Sequence, residues 1–248
     1  MPMIMRAKYT KVGMMKYLSH LDLVRLFERA FRRAEIPLAF TQGFNPHPMV
    51  SFASPLSIGV SSEAEYFDLV LSTPLDAKEF TQRMNDTLPE GIHINAARLY
   101  STNKLTSLMK ESALLSYRIE GHSNIPLQLE ALDESISSFL AQPEILIEKT
   151  IKKNKYKHRK QNKSVTVNIR SLIHSFNIKS VKENFFTAEL EIYNYDSGTV
   201  KPLIVCQNWI RFSELQICQE DLTFHRTEVC RKNSQESFEA ILSSDSYS

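Results

Sequence analysis

Two stretches with helical spacing, each flanked by strand-like segments, occupy the first hundred residues of this 248-residue chain. Strand-compatible residues fill 3–18, where Gly13 indicates one bent strand or a tight hairpin. Ser19 and Asp22 then form a capping box, and apolar residues recur at steps of three and four until Pro37 ends the helix. Further strands are predicted over 38–42, 64–72 and 92–100, and a second helix over 76–87. The predicted order is β-α-β-β-α-β.

The same order recurs more faintly after a polar connector at 101–112. The patterns predict strands over 114–120, 145–151, 165–176, 185–195 and 222–229, and helices over 126–141 and 200–209. A parallel doubly wound sheet would need a crossover helix after nearly every strand, so the sequence favours an α+β protein. We expect two tandem ferredoxin-like (β-α-β-β-α-β) units with antiparallel sheets. The predicted domains span 1–100 and 113–230, and a flexible tail follows at 231–248.

A small net charge conceals one strongly basic segment. The chain has 30 Lys and Arg against 28 Asp and Glu, a formal charge of +2. Segment 149–163 holds eight of the basic residues and no acidic one, which leaves 22 basic against 28 acidic residues, or −6, elsewhere. Like charges repel, so we expect an exposed insertion that contacts RNA phosphates or that only solubilises the protein. The candidate RNA-binding residues are Lys152, Lys153, Lys155, Tyr156, Lys157, Arg159 and Lys160.

The segment Q-G-F-N-P-H-P at 42–48 is the best candidate site in the chain. Its two prolines restrict the backbone on either side of His47, and a stiff loop presents recognition groups with little loss of entropy on binding. Gln42, Phe44, Asn45 and His47 are the predicted RNA-binding residues. The alternative is that His47 only ties the loop to the protein by hydrogen bonds.

The first predicted helix carries a second candidate, four arginines opposite its apolar stripe. A ridge of guanidinium groups matches phosphate oxygens, although a solvated basic face is an equally good interpretation. The residues are Arg25, Arg29, Arg32 and Arg33. Ridge and loop would frame one groove if the predicted strand order holds.

Enzyme signatures are weak in this sequence. His20 and His47 are the candidate general acid and base, with Tyr17 or Ser51 assisting, and their separation along the chain does not show whether they meet. Glu63 and Glu65 form either a polar strand edge or a carboxylate pair. The three cysteines are each twelve residues apart, which argues against a metal site or cluster and for a reducing compartment. No export signal or membrane span is visible, so we expect a cytoplasmic protein.

Five segments in order resemble the bacterial radical SAM-associated, or radical SAM-linked, family, whose domain function is not established. They are K-Y-T-K-V-G at 8–13, S-H-L-D-L-V-R at 19–25, R-A-F-R-R-A-E-I-P at 29–37, Q-G-F-N-P-H-P at 42–48 and S-F-A-S-P-L-S-I-G at 51–59, with Glu63 and Glu65 following. Late in the chain, Asn168-Ile169-Arg170-Ser171 stands where the family's Asp-hydrophobic-Arg-Pro element is expected. Within this element, only Arg170 matches the family's pattern, and the resemblance therefore implies that Arg170 is a further RNA-binding residue.

The resemblance implies a role beside a separate enzyme. In that family the domain is fused behind a cobalamin-binding radical SAM enzyme or encoded beside one, commonly near ribonuclease and ribosomal-protein genes. The implied partners are a radical SAM enzyme, which would carry the iron–sulfur cluster and S-adenosylmethionine, and tRNA or rRNA. This chain has no cysteine motif for such a cluster, so we expect no cofactor of its own and an RNA-binding accessory role. The alternatives are a metal-independent RNA endonuclease or RNA-modifying enzyme, and a protein-only adaptor.

Overall fold

A computed structural model of the chain describes residues 1–102, 105–151, 163–196 and 198–242. The chain forms two compact units. Unit 1 comprises Met1–Arg118 and Thr223–Ser248, and unit 2 comprises Ile119–Leu222. The fold is α+β, with mostly antiparallel strands and few helices. The arrangement as two tandem ferredoxin-like units is not confirmed by these observations.

Unit 1 is built from a sheet with two helices on one face and a single-turn helix on the other face, where Glu111 pairs with Arg6. Its elements are β1 (Met3–Lys11), α1 (His20–Arg33), β2 (Val50–Phe52), β3 (Ser61–Leu71), α2 (Ala77–Asn85), β4 (Ile94–Ser101), the single-turn α3 (Leu108–Glu111), the start of β5 (Leu114–His122), β10 (Thr223–Lys232) and β11 (Phe238–Ala240). Strand β1 lies between β4 and β3 and is antiparallel to both. The other edge of β3 pairs with β2 in antiparallel and with β10 in parallel orientation.

Local sequence explains why α1 begins and ends where it does. The Ser19 hydroxyl accepts a hydrogen bond from the Asp22 amide, so the predicted cap forms. The buried side of the helix carries Leu23, Phe27, Ala30 and Phe31, which pack against the sheet. After Arg33 the backbone turns through a positive φ of 51° at Glu35.

Two predicted strands of unit 1 are shorter or less regular than the sequence indicated. Strand β1 stops at Lys11, and Gly13–Tyr17 forms a 3₁₀ turn because Gly13 adopts a φ of 57° that ends the extended conformation. Residues 38–42 form no named strand, only the isolated bridges from Leu38 to Leu71 and from Phe40 to Pro48.

Unit 2 also packs helices on one face of its strands. Its elements are the end of β5, α4 (Leu129–Leu140), β6 (Leu146–Ile151), β7 (Lys163–Asn168), β8 (Ile173–Lys182), β9 (Phe185–Tyr193) and α5 (Pro202–Phe212). Strand β9 pairs with β8 on one edge and β5 on the other, while β6 and β7 form a separate antiparallel ladder. Trp209 is fully buried, its ring packs edge-on against Phe176 and Phe186, and its indole N–H donates to Ser135.

The C-terminal part of the chain, from Thr223 onward, is organised differently from the predicted domain limits. Chain from Thr223 onward belongs to unit 1 again, whereas the sequence suggested one C-terminal domain over 113–230. Within the predicted flexible tail, β11 pairs with β10, and Ile241 and Leu242 are 2% exposed, so the chain is packed up to 242. Its last six residues lie outside the described part.

Candidate functional site

Turn 42–48, the predicted loop, projects from unit 1 into solvent. Residues 41–47 are all exposed, Phe44 fully so, and Pro48 is buried at the base. The Thr41 amide donates to the His47 carbonyl at 2.9 Å, and the Thr41 hydroxyl accepts from the His47 amide at 3.1 Å. The backbone of His47 therefore closes the turn. Its imidazole has no hydrogen-bond partner among the described residues.

The four arginines of α1 are exposed, as the position of the apolar stripe predicts. Arg25 lies 3.5 Å from Asp22, and Arg33 donates to the Thr87 carbonyl at 2.6 Å. Within the part of the chain that the structure describes, the guanidinium groups of Arg29 and Arg32 have no hydrogen-bond or ion-pair partner. These two are therefore the arginines most available to an external anion. No hydrogen bond or ion pair between described residues joins the ridge to turn 42–48, so their common groove stays a prediction.

The remaining predicted RNA-binding residues fall in unit 2 or outside the described residues. Arg170 is half-buried, and its guanidinium donates to the carbonyls of Leu140 at 2.6 Å and Ile173 at 3.3 Å. Leu140 is the last residue of α4, so Arg170 satisfies a carbonyl that the helix leaves unpaired. Its guanidinium is therefore engaged inside unit 2. Lys152, Lys153, Lys155, Tyr156, Lys157, Arg159 and Lys160 lie outside the described residues.

Three of the sequence segments quoted above meet at a small cleft in unit 1. The lining residues are Tyr9, Lys11, His20, Leu23, Phe52, Ala53, Ser54, Pro55, Leu56, Glu65 and Tyr66. They come from the end of β1, the start of α1, the end of β2 with the segment after it, and β3. The cleft has room for about 10 Å³, which is roughly the space of one water molecule.

Buried charges surround this cleft. Lys11 is 1% exposed, and its ammonium donates to the Leu18 carbonyl at 2.8 Å. Arg226 is 2% exposed; it donates to Glu65 at 2.9 Å, to the Tyr117 hydroxyl at 2.9 and 3.2 Å, and to the Ser54 carbonyl at 3.3 Å. Glu65 is 4% exposed. The cluster thus contains two cationic side chains and one carboxylate.

Burial shifts the proton affinities of this cluster. It lowers the pKa of the Lys11 ammonium, an effect that Glu65 opposes and Arg226 reinforces. Burial also raises the pKa of Tyr9 well above its usual value. For Arg226 burial acts to lower the pKa, but Glu65 and Tyr117 outweigh it and leave the pKa above the usual value. Arg226 therefore stays charged, whereas the charge on Lys11 is disfavoured.

His20 is the predicted acid–base residue that lines the cleft. It is the first residue of α1, it is exposed, and its ring meets Phe52 edge-on with 5.5 Å between centroids. His47 is not among the lining residues. No hydrogen bond between described residues joins His20 to His47, so their pairing for acid–base work stays a prediction.

Glu63 and Glu65 have different environments, so neither of the two predicted roles applies to both. The Glu65 side chain is 6% exposed and pairs with Arg226, whereas the Glu63 side chain is 52% exposed and lies 3.6 Å from His225. An irregular register of β3 against β1 near Ser62 accompanies this change in burial.

The sequence interpretation missed Lys11, Tyr117 and Arg226. One signal was available for Lys11, since it follows Tyr9 at the two-residue spacing of a strand and so shares its buried face. No such signal existed for Arg226, because its partner Glu65 lies 161 positions away along the chain.

Among the described residues, no helix has the length and apolar character needed to cross a bilayer.

Comparisons with known proteins give a family but no function. No curated protein matches the chain. Two similar solved structures are described as a Cbf5-Nop10-Gar1 complex and as an H/ACA RNP bound to a substrate RNA containing 2′-deoxyuridine. Both are 8% identical, with TM-scores of 0.46 and 0.44; each covers 91% of this chain, which spans 48% and 47% of theirs, about half. Likenesses this weak carry no argument about function. A family profile matches residues 5–202, and the chain therefore belongs to the family described as "Uncharacterized protein conserved in bacteria (DUF2344)".

Proposed function

We propose that the chain is an RNA-binding accessory protein that acts with a separate radical SAM enzyme in tRNA or rRNA modification. The observation that supports RNA binding is the exposure of turn 42–48, which holds a fully solvent-accessible Phe44 away from any core. A large apolar ring in that position has no role in packing, and aromatic rings at such sites stack on unpaired bases.

The proposed contacts divide into positioning and recognition. Arg25, Arg29, Arg32 and Arg33 contact phosphates, and Arg29 and Arg32 contribute most because the protein does not already engage them. Phe44 stacks on an unpaired base, while Asn45 and His47 bond to its edge. The basic residues of segment 152–160 add phosphate contacts. Arg170 contributes less than the resemblance implies, since its guanidinium bonds to two backbone carbonyls.

Salt dependence of RNA binding tests the phosphate contacts. Each contact with single-stranded RNA steepens a plot of log K against log salt by about 0.7. Replacing Arg29 and Arg32 by Gln should therefore flatten the slope by about 1.4, and replacing Lys152, Lys153, Lys155 and Lys157 should flatten it by about three. The control is Arg231→Gln, which removes an arginine already paired with Glu239. Wild-type protein that binds no small RNA at low salt would contradict the proposal.

The radical SAM partner rests on the resemblance in the first seventy residues, and the cytoplasmic location rests on the cysteine pattern and on the lack of a visible export signal. The partner would supply the iron–sulfur cluster and S-adenosylmethionine, while this chain would bind the RNA. Purification of the tagged chain from its native cell, with and without nuclease, tests this. A radical SAM enzyme that co-purifies only with intact RNA supports the proposal. Co-purification that nuclease leaves unchanged favours a protein-only adaptor.

A second candidate function is RNA cleavage or modification by the chain itself. The position of His20 among the residues that line the cleft favours it, because a general acid or base must lie within hydrogen-bond reach of the group it serves. Incubation of the purified protein with total small RNA and no metal tests this activity. Product that disappears in His20→Ala or His47→Ala would make the chain an enzyme.

We interpret unit 1 as a ferredoxin-like unit. Its first six elements follow the β-α-β-β-α-β order, and its sheet places β1 between β4 and β3 with β2 on the far edge of β3. The equivalent assignment for the rest of the chain is part of the same proposal.

A further inference from the structure

The charges around the cleft of unit 1 do not balance. The guanidinium of Arg226 donates a hydrogen bond to the Glu65 carboxylate at 2.9 Å and neutralises its charge. Lys11 is as deeply buried, yet its ammonium has three donors and, among the described residues, makes one hydrogen bond, to the neutral carbonyl of Leu18. A buried ammonium without a bonded counter-charge is costly to a fold. An anion that binds from outside the protein would supply the missing counter-charge and offset this cost.

The space beside Lys11 limits what can enter. Room for about 10 Å³ admits roughly one water molecule, or one oxygen atom of a larger group. Other polar side chains that line the cleft are those of Tyr9, His20, Ser54 and Tyr66, while Glu65, the lining carboxylate, is already bonded to Arg226. The cleft therefore has room for at most one oxygen of a larger oxyanion, and the remaining atoms of such a group would stay at its mouth.

We propose that this cleft binds a phosphate group, with one phosphoryl oxygen bonded to Lys11 and the rest of the group beside His20. The site is separate from turn 42–48 and does not depend on RNA binding by that turn. The phosphate belongs either to a free or nucleotide phosphate or to the 5′ end of an RNA chain.

Thermal melting with inorganic phosphate tests the site without any RNA. At constant ionic strength and pH 7, phosphate up to about 10 mM should raise the melting temperature of the wild type more than chloride does. Lys11→Met should lose at least about tenfold in phosphate affinity, the effect of losing a charged hydrogen bond. The control is Lys78→Met, an exposed lysine at the start of α2, which should respond like the wild type.

The stability of Lys11→Met without phosphate separates binding from a structural role. Methionine has a similar length and no charge to bury, so this variant should melt at or above the wild-type temperature in phosphate-free buffer. A lower melting temperature together with an unchanged phosphate response would show that Lys11 only ties β1 to Leu18 and would overturn the proposal. Equal responses of the wild type to phosphate and chloride would also overturn it.

A pair of RNA oligonucleotides identifies the source of the phosphate. The two share one sequence and differ only in a 5′-phosphate or a 5′-hydroxyl. Tighter binding of the phosphorylated form, lost in Lys11→Met, assigns the site to RNA 5′ ends. Equal binding of both forms, with the inorganic phosphate response intact, assigns it to free or nucleotide phosphate.

Discussion

The guanidinium of Arg226 on β10 bonds to the carboxylate of Glu65 on β3 at 2.9 Å, and both side chains are almost completely buried. The same guanidinium reaches Tyr117 on β5 and the Ser54 carbonyl beyond β2. One side chain thus links β10 to two other strands and to the wall of the cleft. A neutral side chain at 226 would leave a buried carboxylate without its partner.

Arg226→Met should therefore destabilise the protein by about 3–5 kcal/mol, because it leaves the Glu65 carboxylate buried without a bonded counter-charge. Urea unfolding followed by circular dichroism measures the change. Arg231→Met is the matched control, since its pair with Glu239 is exposed and contributes at most about 1 kcal/mol. Equal losses for the two variants would contradict a special role for the buried pair.

Lys11 should make stability depend on alkaline pH. Its folded-state pKa lies below the usual 10.5, so between the two values the unfolded chain holds a proton that the folded chain has released. Stability then rises with pH across the range just below 10.5, and below the folded pKa the cost of the buried charge is fully present. Melting curves of the wild type and Lys11→Met over that range isolate this contribution, because Tyr9 and the other tyrosines titrate in both. A constant difference between the two proteins would refute the prediction.

Phe44 should matter for RNA binding and not for folding. Its ring is fully exposed, so Phe44→Ala should change the free energy of unfolding by less than about 0.5 kcal/mol. RNA affinity should fall by about 1–3 kcal/mol, the usual contribution of one stacked base, with an unchanged slope against salt. Phe44→Leu, which keeps an apolar side chain without a ring, should lose a similar amount. Fluorescence anisotropy with a labelled RNA measures the affinity and its salt dependence for both variants. Full affinity in Phe44→Ala would exclude stacking at this turn.

Two glycines with similar backbone conformations should respond differently to alanine. Gly91 and Gly59 have φ values of 90° and 87°, where a side chain is strained. A Cβ on Gly91 would lie 2.6 Å from the Val12 carbonyl oxygen, whereas a Cβ on Gly59 would meet nothing within 4 Å. Gly59→Ala should cost about 1 kcal/mol from the backbone alone, and Gly91→Ala about 1–3 kcal/mol more. Chemical unfolding of both variants tests the difference, and equal costs would mean that the contact relaxes freely.

Local features of the sequence were sufficient to predict helices α1 and α2 and the exposure of turn 42–48, but not the single-turn α3, which lies in the predicted polar connector. Ser19 and Asp76 cap α1 and α2 through bonds to amides two or three residues away, so the relevant partners stand next to them in the sequence. Proline and glycine in the turn act on their own backbone. The arginines of α1 are exposed because helical periodicity places them opposite the buried stripe.

The residue pattern along the sequence predicted the bounds of strands less reliably than those of helices. Residues 3–18 have strand-like composition throughout, yet Gly13 ends the extended backbone and the chain continues in a 3₁₀ turn. The short segment 38–42 has the residues of a strand but forms only isolated bridges, because strand formation depends on which neighbours the fold supplies.

The cleft was decided by tertiary structure alone. Its charges come from β1, β3 and β10, and only the parallel pairing of β10 with β3 brings Arg226 beside Glu65. Spacing along a chain specifies which face of an element a residue occupies, but long-range strand register decides which charges meet and which, like Lys11, are buried without a carboxylate bonded to them. Helix caps and exposed turns could therefore be predicted from neighbouring residues, whereas the candidate phosphate site emerges only once the sheet is assembled.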